Sequence, residues 1–131
     1  AAREATLAQI AGGADVLIHN ANEAAAGFFQ AVKHSPNVLA YGSNKNQNDL
    51  SSSVLASAVI DIPRAFVEAA KLVKEGKFEG KPIRYGLNSK VISFVFNPLN
   101  VGKVPAPVVD EVTRTMAQIE SGALVVPRGN F

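Results

Sequence analysis

Two short apolar runs in this sequence each stop abruptly at a segment crowded with amide side chains. The run VLI at 16–18 leads into HNANE at 19–23, and VLAY at 38–41 leads into GSNKNQND at 42–49. An unbroken apolar run is typical of a parallel strand that is buried on both faces. In open α/β sheets, the loops beyond the carboxyl ends of the strands line the ligand crevice. The pattern therefore predicts an α/β fold whose strand ends bind a small polar molecule.

Composition narrows the kinds of protein that such a chain can be. The 131 residues correspond to about one domain. They include no cysteine, which excludes disulfides, thiolate nucleophiles and cysteine metal sites within this sequence. The net charge is only +2 and no basic cluster is interleaved with aromatic residues, so we expect no nucleic-acid partner. No apolar stretch approaches the roughly 20 residues that cross a bilayer. Because the sequence starts at Ala1 without a methionine or a signal peptide, we expect a mature product or a fragment.

The spacing of apolar residues predicts helices that alternate with strands. The predicted helices cover residues 3–11, 23–33, 63–75 and 105–121. The predicted strands cover residues 15–19, 38–42, 54–60, 83–87 and 91–96, with a short final strand or tail at 123–126. This alternation favours a layered α/β fold with a mostly parallel sheet.

One connection does not fit a simple alternation. The strand at 54–60 follows the strand at 38–42 through a long polar loop, with no helix between them. Two parallel neighbours normally need a crossover element. Either the loop contains a short helix near residues 48–52, or the segment 54–60 leaves the sheet for another lobe.

Five residues are candidates for contacting a ligand: Asn20, Asn22, Glu23, Asn44 and Asp61. Asn20 and Asn44 lie next to strand ends, where an amide offers both a donor and an acceptor. Asn22 and Glu23 are equally suited to capping the helix that follows. Asp61 precedes Pro63, so it either begins a helix or faces a cleft.

The sequence gives no sign of catalysis or of a cofactor. It has no Gly-x-Ser-x-Gly elbow and no evident pairing of a histidine with a carboxylate. We expect His19 to be buried and hydrogen-bonded, and two histidines without nearby carboxylates predict no zinc site. A flavodoxin-like nucleotide-binding or enzymatic domain is the alternative. It would need a phosphate-binding loop, rich in glycine or in serine and threonine, at the first strand, and residues 19–25 contain no glycine.

Several segments, in order, resemble the basic membrane protein family. These are substrate-binding lipoproteins of ABC transporters, with the type I periplasmic binding protein fold. The resemblance covers nearly the whole chain and corresponds to the C-terminal half of the family. The segments that carry it are GADVLI at 13–18, GFFQA at 27–31, YGSNKNQ at 41–47, VLASAV at 54–59, GKFEG at 76–80 and RYGL at 84–87.

The resemblance implies an organisation and a function. It implies a three-layer, mostly parallel α/β lobe, with residues 1–60 and 97–131 in the C-terminal ligand-binding lobe. Residues 61–96 would form the hinge crossing and elements that pack on an N-terminal lobe. The protein would be a non-enzymatic, periplasmic or cell-surface solute receptor that delivers its solute to an ABC permease. Any lipid anchor would lie outside this chain.

A purine or nucleoside is the solute that the resemblance suggests. Members that resemble purine-nucleoside binders carry an Asp at the end of the second strand and a Lys in the crossing segment. This chain has Asn44 and Ile60 at the matching places. The resemblance therefore implies a small polar solute and leaves its identity open. A sensory regulator that uses the same binding fold is a further alternative.

Overall fold

The computed structural model describes residues 1–127, which contain helices and a four-stranded sheet. The helices and strands are, in chain order, α1 (Ala2–Ala11), β1 (Val16–Ile18), α2 (Ala25–Lys33), β2 (Leu39–Asn44), β3 (Val54–Ile60), α3 (Ile62–Lys74), β4 (Ile92–Phe96) and α4 (Ala106–Ser121). Short 3₁₀ turns cover Asn22–Ala24, Leu87–Ser89 and Val101–Lys103.

The sheet is mostly parallel and has the strand order β1-β2-β3-β4. β1, β2 and β3 run parallel to one another. The Asn97 amide donates to the Leu55 carbonyl over 2.8 Å, and the Asp61 amide donates to the Val91 carbonyl over 2.7 Å. The residue number on β3 rises from 55 to 61 while that of its hydrogen-bond partner falls from 97 to 91. β4 therefore runs antiparallel to β3. The predicted α/β class and mostly parallel sheet are confirmed.

The hydrophobic core lies between α2 and one face of the sheet. The buried side chains of this cluster are Leu17, Ala25, Phe28, Phe29, Val32, Val38, Ala40 and Val54. Leu17, Ala40 and Val54 are paired neighbours on β1, β2 and β3, so they present one continuous apolar surface to the helix. Burying a large apolar side chain of this kind stabilises the fold by about 1.5–3 kcal/mol.

The connection between β2 and β3 follows neither of the two predicted routes. Residues 45–53 contain turns but no helix, and β3 remains paired with β2. The loop folds back over β2 at Gly42, where an added Cβ would lie 2.9 Å from the Gln47 Cβ and 2.3 Å from the Ser57 Oγ. The missing side chain of Gly42 is therefore what allows the loop to return across the strand without a crossover helix.

The strand predicted at 83–87 is not formed, and of the two alternatives predicted for 123–126, a strand or a tail, the strand is absent. Residues 83–86 are unpaired backbone followed by a 3₁₀ turn, and residues 123–126 contain no strand. The Tyr85 hydroxyl donates to the Ala65 carbonyl of α3 over 2.9 Å, so this segment is held by a side chain and not by a β ladder. β2 is longer than predicted and includes Asn44.

The chain divides into two compact units. Among the described residues, the first contains 1–59 and 94–106, and the second contains 60–93 and 107–127. In the second unit, Asp61 caps α3 by accepting a hydrogen bond from the Arg64 amide over 2.9 Å. The division into a lobe of residues 1–60 and 97–131 and a crossing of 61–96 stays a prediction, and its last four residues lie outside the described residues. Within residues 1–127, no helix has the length and apolar character needed to cross a bilayer.

Candidate functional site

His19 is buried and directly follows the carboxyl end of β1. It lies two residues after Leu17, so strand alternation directs it to the same face of the sheet. The residue is 8% exposed, and its ring centroid lies 4.8 Å from that of Phe28 and 5.1 Å from that of Phe29. The predicted buried, hydrogen-bonded histidine is what the structure has.

Gln47 joins the ends of β1 and β2. Its side-chain oxygen Oε1 accepts a hydrogen bond from the Ser43 amide over 2.8 Å and lies 2.9 Å from His19 Nε2. The Ala21 amide donates to His19 Nδ1 over 3.3 Å. Both ring nitrogens of His19 and the Gln47 oxygen thus make their hydrogen bonds within the protein.

A second set of hydrogen bonds anchors the same loop to β3 and β4. The Ser57 hydroxyl, which is fully buried, accepts from the Gln47 amide over 3.0 Å and donates to Asn48 Oδ1 over 2.8 Å. Asn48 Nδ2 donates to the Val95 carbonyl over 3.2 Å, and Asn97 Nδ2 donates to the Asn48 carbonyl over 2.8 Å. Two of the amides in the polar loop thus hold the loop in place.

Asn22 and Asn44 remain close to solvent and contact one another. The Asn44 amide nitrogen donates to the Asn22 amide oxygen over 3.3 Å. Both residues have left-handed backbone conformations, with φ of 45° at Asn22 and 68° at Asn44. Residues held in this sparsely populated region occur often at binding sites. This pair is therefore the part of the polar segment best placed to meet a solute.

A cavity of about 590 Å³ opens beside this pair. It lies within the first unit, between α2 and the loop that follows β2. Its lining combines apolar, amide and charged side chains: His19, Asn22, Glu23, Ala25, Ala26, Phe29, Gln30, Lys33, Ser43, Asn44, Lys45, Gln47 and Leu50. Small-molecule sites are typically about 300–1,000 Å³ and combine an apolar wall with a few polar groups. The cavity has the size and the chemistry of such a site.

The five candidate residues are not all brought together. Asn22, Glu23 and Asn44 line the cavity. Asn20 is exposed and does not line it, and Asp61 lies in the second unit as the cap of α3. A ligand contact by any of the five stays a prediction.

Sequence reasoning missed the helix side of the cavity. Gln30 and Lys33 extend from α2 into its lining, and Lys45 follows β2. Phe29 and Val32 are buried, so helical periodicity assigns the residues that follow them, Gln30 and Lys33, to the polar face of α2. Periodicity does not indicate that this face borders a cavity. Within residues 1–127, neither lysine nor Glu23 takes part in an ion pair. The cavity therefore carries three charges that have no ion-pair partner among residues 1–127.

Metal binding finds no support at this site. Across residues 1–127, no group of three or more histidine, aspartate or glutamate side chains is arranged to hold a metal ion. The arrangement offers hydrogen bonds, charge and apolar contact, which are the means of holding a solute.

Solved structures share this fold over nearly the whole chain. A transcriptional activator of the comK gene from Bacillus halodurans matches with a TM-score of 0.78 and 23% identity, covering 95% of this chain and 43% of that one. An ABC transporter solute-binding protein from Aeropyrum pernix K1 matches with a TM-score of 0.70 and 17% identity, covering 98% and 45%. A solute-binding protein of an ABC transporter system from Conexibacter woesei DSM 14684 matches with a TM-score of 0.60 and 19% identity, covering 95% and 41%. No curated protein matches the sequence significantly.

The chain thus has the α/β fold that these solved structures share. The family model described as "ABC transporter substrate-binding protein PnrA-like" matches residues 1–124. The chain therefore belongs to the PnrA-like family of ABC transporter substrate-binding proteins, and the resemblance seen in the sequence is confirmed. The chain spans less than half the length of the solved structures that it matches.

Proposed function

We propose that this chain is part of an extracytoplasmic solute-binding receptor of an ABC importer, and that its cavity forms one wall of the solute site. The observation that carries the proposal is the position of the cavity. It opens at the carboxyl ends of β1 and β2, where ligands bind in open α/β sheets, in a chain of the PnrA-like family.

The lining supports a small polar solute. Asn22 and Asn44 offer amide donors and acceptors, while Phe29 and Leu50 offer apolar contact. Nucleosides and free purine bases combine an apolar ring face with hydrogen-bonding edges, so they are the first class to test. The receptor holds the solute without changing it, and the remaining wall of the site comes from a second lobe.

Solute binding would close the two lobes around the ligand. A ligand that makes extra contacts in the closed state shifts the population toward that state. The closed receptor would then dock on the ABC permease at the outer face of the membrane, with any lipid anchor outside the sequence described here.

A sensory regulator with the same binding fold is the second candidate. The observation that favours it is the likeness to the structure described as a transcriptional activator. Such a protein would bind a similar solute, so solute binding alone does not separate the two functions. Specific binding of the intact protein to DNA, abolished or induced by the solute, would favour the regulator.

A thermal-shift screen of the intact protein tests the proposal. The panel consists of nucleosides, free bases, amino acids and sugars, each followed by calorimetric titration of any hit. A solute at about 100 times its dissociation constant stabilises the folded state by roughly 2.7 kcal/mol. We expect a saturable stabilisation by at least one solute. If nucleosides and bases have no effect, the purine assignment is wrong, and if all four classes have none, the receptor function is wrong.

A further inference from the structure

The hydrogen bonds around Gln47 fix the protonation pattern of a buried histidine. The Ser43 amide can only donate, so the Gln47 atom 2.8 Å away is an acceptor oxygen. That same oxygen lies 2.9 Å from His19 Nε2, which must therefore carry the proton. The Ala21 amide donates to Nδ1, which must therefore be bare. Two independent contacts select the same neutral tautomer.

This oxygen also connects two segments that carry site residues. His19 and Ala21 belong to the segment that leads to Asn22, and Ser43 precedes Asn44. One glutamine oxygen therefore ties the end of β1 to the end of β2. Asn44 Nδ2 lies 3.3 Å from Asn22 Oδ1. This distance depends on the relative positions of the ends of β1 and β2.

The backbone and the Cβ of Gln47 are also fixed in position. Its backbone amide donates to the buried Ser57 hydroxyl over 3.0 Å, and an added Cβ at Gly42 would lie 2.9 Å from its Cβ. The Gln47 side chain therefore extends to His19 from a backbone whose position is fixed. A side chain held at both ends transmits a defined geometry, which a solvated loop residue does not.

We infer that Gln47 is a positioning residue of the solute site: its Oε1 holds His19 in the Nε2–H tautomer and sets the spacing of Asn22 and Asn44. This inference rests on the proposed function for the meaning of the spacing, while the tautomer can be measured without any solute. Gln47 acts through His19 and Ser43 and needs no contact with the solute.

The test uses nuclear magnetic resonance of the full chain labelled with ¹⁵N. The variant His34→Gln leaves His19 as the single ring to observe. We expect ring shifts of the Nε2–H tautomer in this background. Gln47→Leu should move the Nε2 signal, because this N–H loses its acceptor while the Ala21 amide still keeps Nδ1 bare. Gln47→Glu, whose carboxylate keeps an acceptor at the same place, should return the Nε2 signal toward its wild-type position. Gln30→Leu, at another glutamine of the cavity lining, is the matched control and should leave the ring shifts unchanged. An Nδ1–H tautomer, or a ring unaffected by Gln47→Leu, would overturn the inference.

Affinity for a solute found in the screen provides the second measurement. We expect Gln47→Leu to weaken binding by about 2- to 12-fold, the value of one hydrogen bond, and Gln47→Glu to recover most of it. His19→Phe should weaken binding similarly, and the double variant His19→Phe/Gln47→Leu should lose no more than either single change. Additive losses, or a changed Nε2 signal with unchanged affinity, would overturn the positioning role. If no solute binds the wild type, the receptor function fails, while the ring shifts still decide the link between Gln47 and His19.

Discussion

The side chains of Asn22 and Asn44 meet across the carboxyl ends of two parallel strands, with the Asn44 nitrogen 3.3 Å from the Asn22 oxygen. Both residues are in the left-handed region, where glycine is the residue of least strain. Each can therefore be replaced by glycine, which removes the amide and keeps the backbone.

Asn44→Gly should weaken solute binding without unfolding the protein. Losing one amide hydrogen bond costs about 0.5–1.5 kcal/mol, or roughly 2- to 12-fold in affinity. Asn37→Gly is the matched control, because Asn37 also has a left-handed backbone (φ 64°) but does not line the cavity. Calorimetric titration of both variants checks this expectation. Equal affinities in the two variants would place Asn44 outside the site.

Gly42→Ala should destabilise the first unit. The new methyl group would lie 2.3 Å from the Ser57 hydroxyl, so the loop or the strand must shift. Overpacking of this kind typically costs about 1–3 kcal/mol. Gly102→Ala is the control, since a Cβ at Gly102 meets no atom within 4 Å. Urea denaturation of both variants measures the difference, and an unchanged midpoint for Gly42→Ala would contradict the crossing of the loop over β2.

Ser57→Ala should lower stability because it leaves two groups of the loop without a partner. The Gln47 amide and Asn48 Oδ1 both contact the buried Ser57 hydroxyl. A buried polar group left unsatisfied costs about 1–3 kcal/mol. The exposed Ser52 supplies the control substitution Ser52→Ala. If thermal unfolding of the two variants coincides, the buried hydrogen bonds do not anchor the loop.

Asp61→Ala should weaken α3 by removing its cap. The Asp61 carboxylate accepts from the Arg64 amide over 2.9 Å. Replacing such a cap by alanine costs about 0.5–2 kcal/mol, while Asp61→Ser retains most of the stability. Denaturation curves of the two variants compare them directly. A loss of solute affinity in both variants, with stability unchanged, would favour a ligand contact over the capping role.

The sequence predicted the order of helices and the paired strands β1, β2 and β3 because their signals are local. Apolar runs and helical spacing are patterns within short stretches of sequence. Pro63 and Gly76 likewise mark the two ends of α3. The strand predicted at 83–87 failed for the opposite reason. Its alternating pattern suits a strand, but a tyrosine hydroxyl bound to α3 holds it outside the sheet.

The candidate site was predicted only in part because its amides look alike in the sequence. Asn44, Gln47 and Asn48 all follow the same apolar run, yet Asn44 lines the cavity beside Asn22 while Gln47 and Asn48 anchor the loop. Which amide is committed depends on Ser57 and Asn97, which lie far along the chain. Local propensity carries no information about such contacts.

Mapping the solute contacts by amide chemical shifts tests the central claim most directly. A solute from the screen is titrated into the intact ¹⁵N-labelled protein, and the shifted signals are assigned along the chain. We expect saturable shifts concentrated at residues 19–23 and 43–47, and smaller shifts in Asn44→Gly. Saturable binding whose shifts leave both of these segments unchanged would contradict it.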